Sequence, residues 1–140
     1  MRFESKRDWT FPIIWAFVFL VYSFIGFFIV MEGGHYFDLI LLFVVWIGIG
    51  LLFYLILKTT YYTLEEDELI CHILGFKKRI WVKEIRKIET KKGLYAGLKI
   101  NTSWKGLVVS YGKWDEILIS PADEDGFISA IKAKNPTLQV

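Results

Sequence analysis

His35, His72, Cys71, Ser103, Ser110 and Ser120 are the side chains of this 140-residue chain with the most obvious capacity to act as base, nucleophile or metal ligand. Neighbouring side chains on an extended segment point to opposite faces, so Cys71 and His72 cannot form the hydrogen-bonded thiol–imidazole pair that activates a cysteine nucleophile. Metal binding needs several ligands at defined spacing, and one cysteine with two separated histidines does not supply them. The three serines have no histidine close in sequence to take a proton, and Ser120 is better placed to cap a helix. Glycine-rich phosphate loops are absent. These spacings predict a protein that is not an enzyme and carries no cofactor, with Cys71 as a small packed residue and His72 as a sheet residue. A single cysteine also excludes an internal disulfide framework.

Charge offers binding rather than catalysis. Between Lys77 and Lys92 lie eight bases (Lys77, Lys78, Arg79, Lys83, Arg86, Lys87, Lys91, Lys92) against Glu84 and Glu89, a local balance of +6 in a chain whose formal net charge is +2. Facing an anionic leaflet, each such base contributes about 1 kcal/mol. The competing reading is that they solvate the outer faces of two strands whose other faces bury Ile80, Val82, Ile85 and Ile88. Acidic runs at Glu65–Glu68 and Asp123–Asp125 dilute the basic block, and no reader motif accompanies it, so nucleic acid is not an expected partner. Trp81, flanked by Arg79 and Lys83, and Trp104, in a polar loop, are candidate anchors for a partner or a headgroup layer. Trp114 is expected in the core. The candidate lipid or partner contacts are therefore Lys77, Lys78, Arg79, Trp81, Lys83, Arg86, Lys87 and Trp104.

The elements that position these residues divide the chain sharply. Residues 1–57 hold seven charged residues, Arg2, Glu4, Lys6, Arg7, Asp8, Glu32 and Asp38, and all other charges follow. Residues 11–31 would rise about 31 Å as a helix and residues 39–57 about 28 Å, each close to the roughly 30 Å of a bilayer's hydrocarbon core. Inside lipid a lone segment must satisfy its own backbone hydrogen bonds, which only a helix does. Glu32-Gly-Gly-His-Tyr-Phe-Asp38 is a short reversal, so the two spans predict an antiparallel hairpin. Bases precede the first span (Arg2, Lys6, Arg7) and follow the second (Lys58), with none between, which predicts cytoplasmic ends at the cell membrane. A secretory signal would have a shorter apolar core and a small-residue cleavage site, whereas this run continues through Gly26-Phe27-Phe28. Neither span contains an Asp, Glu, Lys, Arg or His, which favours an anchor over an ion path. Gly48, Gly50, Ser23 and Gly26 could allow close helix approach.

From residue 59 the pattern becomes short alternating runs. Strands are expected near residues 60–64, 68–74, 79–82, 85–90, 98–101, 107–111 and 116–120, broken by Glu65-Glu66-Asp67, by Gly75-Phe76-Lys77-Lys78, by Gly93 and Gly97, and by Gly112-Lys113. Such spacing predicts an antiparallel meander, parallel pairing having no helical crossover available. Ser120-Pro-Ala-Asp123 is expected to open a helix, with Ser120 as N-cap and Pro121 first inside. Phe127, Ile128, Ala130 and Ile131 form its apolar stripe, and Asn135-Pro136 ends it. The domains expected are thus 1–58, a transmembrane hairpin, and 59–140, a curved sheet or barrel capped by one helix.

Tyr61-Tyr-Thr-Leu64, the acidic turn, Leu69-Ile70, Ile85 with Ile88, Leu107-Val-Val-Ser-Tyr111, and Ile117-Leu-Ile-Ser-Pro121 followed by Phe127 and Asn135-Pro136 resemble the bacterial pleckstrin-homology-like domain of small membrane-anchored proteins. The likeness spans about residues 60–136. It implies a membrane-anchored α+β chain with a pleckstrin-homology-like sheet, and a non-enzymatic binding module for a lipid headgroup, a peptide or a membrane protein. The group includes bacteriocin immunity proteins of the sublancin-immunity type, so self-immunity is one implied role. In this sequence Asn101-Thr-Ser-Trp104 stands where a serine-and-arginine stretch is expected, and no family binding residue is carried over. The alternative is a structural or regulatory subunit of a larger membrane complex.

Overall fold

The computed structural model describes residues 1–92 and 96–140, and Gly93, one of the expected breaks, lies outside them. The chain divides into two compact units, Trp9–Leu55 and the pair of segments Met1–Asp8 with Ile56–Val140.

The first unit is built on α1 (Thr10–Met31) and α2 (Tyr36–Thr59), both long and apolar enough to cross a membrane and neither with a buried residue. They run antiparallel. Phe11 meets Phe53 edge-on with centroids 5.5 Å apart, Trp15 stacks on Trp46 at 4.9 Å, and Phe19 lies 5.3 Å from Trp46. Gly50 is the position where approach is closest, since a Cβ there would sit 3.1 Å from the Trp15 indole. Gly26 faces Leu42, whereas Gly48 has nothing within 4 Å and the Ser23 hydroxyl bonds its own helix at the Phe19 carbonyl.

The second unit contains a strand that local pattern does not announce. Arg2–Glu4 forms β1, antiparallel to β2 (Tyr61–Leu64), with Arg2 opposite Thr63 and Glu4 opposite Tyr61. Met1–Asp8 therefore belongs with the sheet domain and departs from the expected 1–58 hairpin, because Phe3 finds its apolar partners there. Its ring meets Phe127 edge-on at 5.3 Å. Sheet 1 continues through β3 (Glu68–Ile73) and β4 (Phe76–Trp81) in the order β1-β2-β3-β4. A short 3-10 turn, Val82–Glu84, leads to β5 (Ile85–Lys92), β6 (Leu98–Ile100), β7 (Lys105–Tyr111) and β8 (Asp115–Ile119), which form sheet 2 in the order β5-β7-β8-β6. Helix α3 is Glu124–Lys134. The architecture is two apolar helices followed by a pleckstrin-homology-like pair of sheets with a C-terminal helix, not a closed barrel. Tyr62, Leu69, Ile80, Ile88, Val109, Ile117, Phe127 and Ile131 belong to one buried core, to which both sheets and the helix contribute.

Four local expectations change. The meander is not wholly antiparallel: β6 pairs parallel to β8, the crossover being supplied by residues 101–114, which include all of β7. The turn before β4 is Leu74-Gly75, both with positive φ (48° and 83°), so Lys77 and Lys78 are strand residues rather than turn residues. This two-residue reversal matches the right-handed twist of the flanking strands. The N-cap of α3 is Asp123, whose carboxylate accepts the Gly126 N–H at 2.9 Å. Ser120 and Pro121 are drawn away because that segment runs beside β1, with Lys6 N–H on the Ser120 carbonyl at 2.6 Å and Ala122 N–H on that of Glu4 at 2.8 Å. Finally, Trp114 is 82% exposed at the β7–β8 turn instead of in the core, where Tyr62 and Phe127 already fill the large-residue space.

Candidate functional site

Strand register decides which of the basic side chains share a face. On β4, Lys77 lies opposite His72, Arg79 opposite Ile70 and Trp81 opposite Glu68, so these three occupy the outer face of sheet 1. The same face carries Arg2 and Tyr61. The Arg2 guanidinium sits 4.2 Å from the centre of the Tyr61 ring, and Tyr61 stacks on His72 at 4.2 Å with an interplanar angle of 12°. The Thr63 hydroxyl is 3.4 Å from His72 Nε2. Burial, then the positive charges of Lys77 and Arg2, hold His72 below its ordinary imidazole range, with Glu65 opposing weakly. Near neutral pH this surface is an aromatic ladder around a neutral imidazole, its bases Arg2, Lys77 and Arg79 sharing the face with Glu4 and Glu68. Arg79 is partly satisfied by Glu68 at 4.0 Å, an exposed pair of small energetic weight.

The other candidates lie elsewhere. Lys78 is on the opposite face, beside Cys71, with its ammonium 5.8 Å from the Tyr111 ring centre. Lys83 is exposed in the 3-10 turn. Arg86 and Lys87 sit at an irregularity in β5, where they border with Lys83, Ser110 and Gln139 a shallow depression of about 460 Å³. Lys87 is paired with Glu89. Trp104 is 54% exposed, with its backbone N–H donated to Asp8 Oδ2 at 3.1 Å. The basic block is thus one run in sequence and three places in space.

Sheet 1 is also polar from end to end. The β2–β3 turn, Glu65-Glu66-Asp67, is acidic and borders an open hollow of about 840 Å³ together with Met1, Trp81 and Lys134. The opposite end receives the chain from α2, delivers it toward α1, and carries the Leu74-Gly75 turn followed by Lys77 and Lys78.

A buried hydroxyl cluster, which the sequence reading missed, holds the N-terminal segment in this domain. Ser5 Oγ lies 2.7 Å from Thr102 Oγ1, 3.1 Å from Ser120 Oγ and 3.3 Å from the Tyr62 hydroxyl. Tyr62 donates to the Ile100 carbonyl and accepts the Ser120 N–H at 2.9 Å. Thr102 Oγ1 donates to the Lys6 carbonyl at 2.6 Å, and Ser103 bonds Asp8. Burial pushes the Tyr62 phenol up to about 12, so it remains a neutral donor. Asn101-Thr-Ser-Trp104, which departs from the expected stretch, is therefore part of a clasp on Ser5–Asp8. Its signal was a set of hydroxyl residues with no visible partners in the local pattern.

A family model described as "Bacterial PH domain" matches residues 60–135. The chain belongs to that family. The match runs from the start of β2 to the end of α3 and leaves β1 outside, so this bacterial PH domain is completed by a strand from the far side of α1 and α2. Over 78 residues the chain is 32% identical to the uncharacterized protein YyaB of Bacillus subtilis (strain 168), which is 55% of this chain and 53% of that protein. It therefore spans about half the length of the curated relative it matches. No solved structure matches the chain.

Within the PH domain, burial pushes the Cys71 thiol up to about 12, with the nearby Lys78 ammonium only partly opposing it. Thiolate is the reactive form. Cys71 in the native protein is expected to resist maleimide near neutral pH and to react fully once urea unfolds the domain. Native labelling at the rate of an exposed cysteine would contradict this assignment.

Proposed function

We propose that the chain is a membrane-anchored, non-enzymatic binding module, with α1 and α2 crossing the cell membrane as a hairpin and the PH domain at its cytoplasmic face. The observation that carries the reading is the β1–β2 pairing. Segments that precede α1 and follow α2 are hydrogen-bonded in one sheet, so they occupy one side of the membrane and the helices between them cross it an even number of times. Arg2, Lys6, Arg7 and Lys58 at these ends make that side the cytoplasmic one. The cationic outer face of sheet 1, with Arg2, Tyr61, Lys77, Arg79 and Trp81, is the surface offered to a partner, which by its charge is an anionic headgroup, an acidic peptide or an acidic face of a membrane protein.

The reading makes a direct prediction for substituted cysteines in whole cells. With Cys71 buried and silent, a membrane-impermeant maleimide is expected to label His35→Cys in intact cells and Trp114→Cys only after permeabilisation. The reverse pattern would refute the topology. Self-immunity to a bacteriocin is the narrower form of this function. It is tested by expression in a sensitive host, where a rise in tolerance supports it and unchanged killing across a broad bacteriocin panel refutes it.

One feature favours the second reading, a subunit of a larger membrane complex. The Trp46 indole N–H is buried with no acceptor among the described residues. It borders a recess of about 230 Å³ lined by Phe19, Tyr22, Ser23 and Leu42, where a neighbouring membrane chain could supply an oxygen. Exchanging α1 and α2 for foreign spans would then abolish co-purification of the partner and leave the PH domain folded.

A further inference from the structure

Trp81, at the end of β4, is 52% exposed, and Trp114, in the β7–β8 turn, is 82% exposed. Backbone bonds bring the two to one end of the PH domain. The Gly112 N–H donates to the Glu84 carbonyl at 3.1 Å and the Val82 N–H to that of Asp67 at 2.9 Å, which joins the β7–β8 turn, the 3-10 turn and the acidic β2–β3 turn. Asn135 fastens the end of α3 to the same 3-10 turn. In the register of β1 and β2 this is the end away from Glu4 and Tyr61, the residues of that pair nearest in sequence to α1 and α2.

Neither indole belongs to the buried core, so folding does not select tryptophan at these positions. Exposed tryptophan in a frame of cross-bonded turns has the make-up of a binding hot spot, because a partner covers a large apolar area with little left to order. Trp81 also walls the open hollow of about 840 Å³, whose apolar lining includes Leu64, Ala130 and Ala133. Around it stand four carboxylates, Glu65, Glu66, Asp67 and Glu68, against the ammonium groups of Met1 and Lys134. Both ammonium groups are engaged by carbonyls, Met1 by that of Leu64 at 3.0 Å and Lys134 by that of Glu66 at 2.7 Å. Arg79 reaches Glu68 at 4.0 Å, and among the described residues no ion pair engages Glu65, Glu66 or Asp67.

We propose that this end of the PH domain is a docking surface for a basic segment of a partner protein, with Trp81 and Trp114 as its anchors and an arginine or lysine of the partner in the hollow. The apolar stem of such a side chain lies along Leu64 and Ala130, while its charged head meets the open carboxylates and the face of the Trp81 ring. The indoles supply contact area. The acids select the sign of the partner and hasten its approach. This surface is distinct from the outer face of sheet 1, whose bases Arg2, Lys77 and Arg79 suit an anionic partner, so one domain offers two faces of opposite preference. Nothing in it depends on α1 and α2 crossing a membrane.

The test uses the full chain in a neutral detergent, its indole N–H resonances assigned by single tryptophan-to-phenylalanine variants, and a nitroxide-tagged peptide of alternating arginine and valine. The expected result is broadening of the Trp81 and Trp114 indole signals several-fold greater than that of Trp104, which is 54% exposed beside Asp8 at the other end of the domain. Glu66→Gln with Asp67→Asn should weaken peptide binding several-fold and flatten its dependence on salt. Trp114→Ala should weaken it several-fold as well, and neither change should move the urea midpoint, since all three side chains are exposed. Equal broadening at Trp81, Trp114 and Trp104, or none at any of them, would overturn the docking surface. A peptide with glutamate in place of arginine that broadens Trp81 as strongly would also overturn it, and would favour an anionic partner on the outer face of sheet 1.

Discussion

A fragment beginning at Thr60 is expected not to fold stably, although it contains the whole of the matched PH region. It lacks the Phe3 ring packed on Phe127 and the Ser5 hydroxyl shared with Tyr62, Thr102 and Ser120. Loss of a buried phenylalanine costs about 3–5 kcal/mol, and each buried hydroxyl partner removed costs about 1 kcal/mol more. A small domain has a net stability of roughly 5–15 kcal/mol, so the remainder is marginal. The bare edge of β2 would also be open to another chain. Joining Met1–Asp8 through a flexible glycine–serine linker to Thr60–Val140 should restore a cooperative urea transition and dispersed amide resonances. In that linked chain, Phe3→Ala should remove about 3–5 kcal/mol. A Thr60–Val140 fragment that unfolds with the same midpoint as the linked chain would show that β1 is dispensable.

The second large effect belongs to Asn135. Its side-chain amide donates to the carbonyls of Val82 and Ile85 at 2.9 and 2.8 Å, while its oxygen accepts the Thr137 hydroxyl at 2.7 Å. The residue is 6% exposed, so one side chain joins the end of α3 to the 3-10 turn between the sheets without access to bulk water. Asn135→Asp retains the shape but turns a donor into an anion facing two carbonyl oxygens. A loss on the order of 3–5 kcal/mol is expected at neutral pH.

Because the fold favours the neutral acid at that position, its folded pKa lies above its unfolded value. The stability of Asn135→Asp should therefore be greatest below the ordinary carboxyl range and fall as pH rises through the folded pKa. Thermal unfolding across pH, compared with the wild-type chain, measures this difference. A pH-independent loss, or none, would contradict the assigned bonds.

The legible parts of the sequence are those in which information is local. Unbroken apolar runs place α1 and α2 within three residues of the expected ends, because a helix satisfies its backbone hydrogen bonds within its own segment. Alternation locates the strands, and Asn135-Pro136 marks the end of α3. Alternation cannot say which strands pair, so β1, whose partner β2 lies beyond two helices, and the parallel β6–β8 pair were both outside its reach. The hydroxyl cluster escapes for a related reason: Ser5, Tyr62, Thr102 and Ser120 are each unremarkable in place and meaningful only together. The Leu74-Gly75 reversal was hidden because leucine is not a residue that announces positive φ. On the surface, the basic block is read from composition, whereas its division among three places follows from side-chain alternation within β4 and from the change of sheet between β4 and β5.

A sheet whose first strand is synthesised before two helices and whose second strand comes after them also has a consequence for biogenesis. On the anchored reading proposed above, β1 must wait for its partner until both hydrophobic segments have been inserted and Tyr61–Leu64 has emerged. A copy whose helices insert with an odd number of crossings strands that strand on the wrong side, leaving an unfinished domain exposed to proteases and chaperones. On that reading, completion of the sheet would act as the molecule's own proofreading of its insertion.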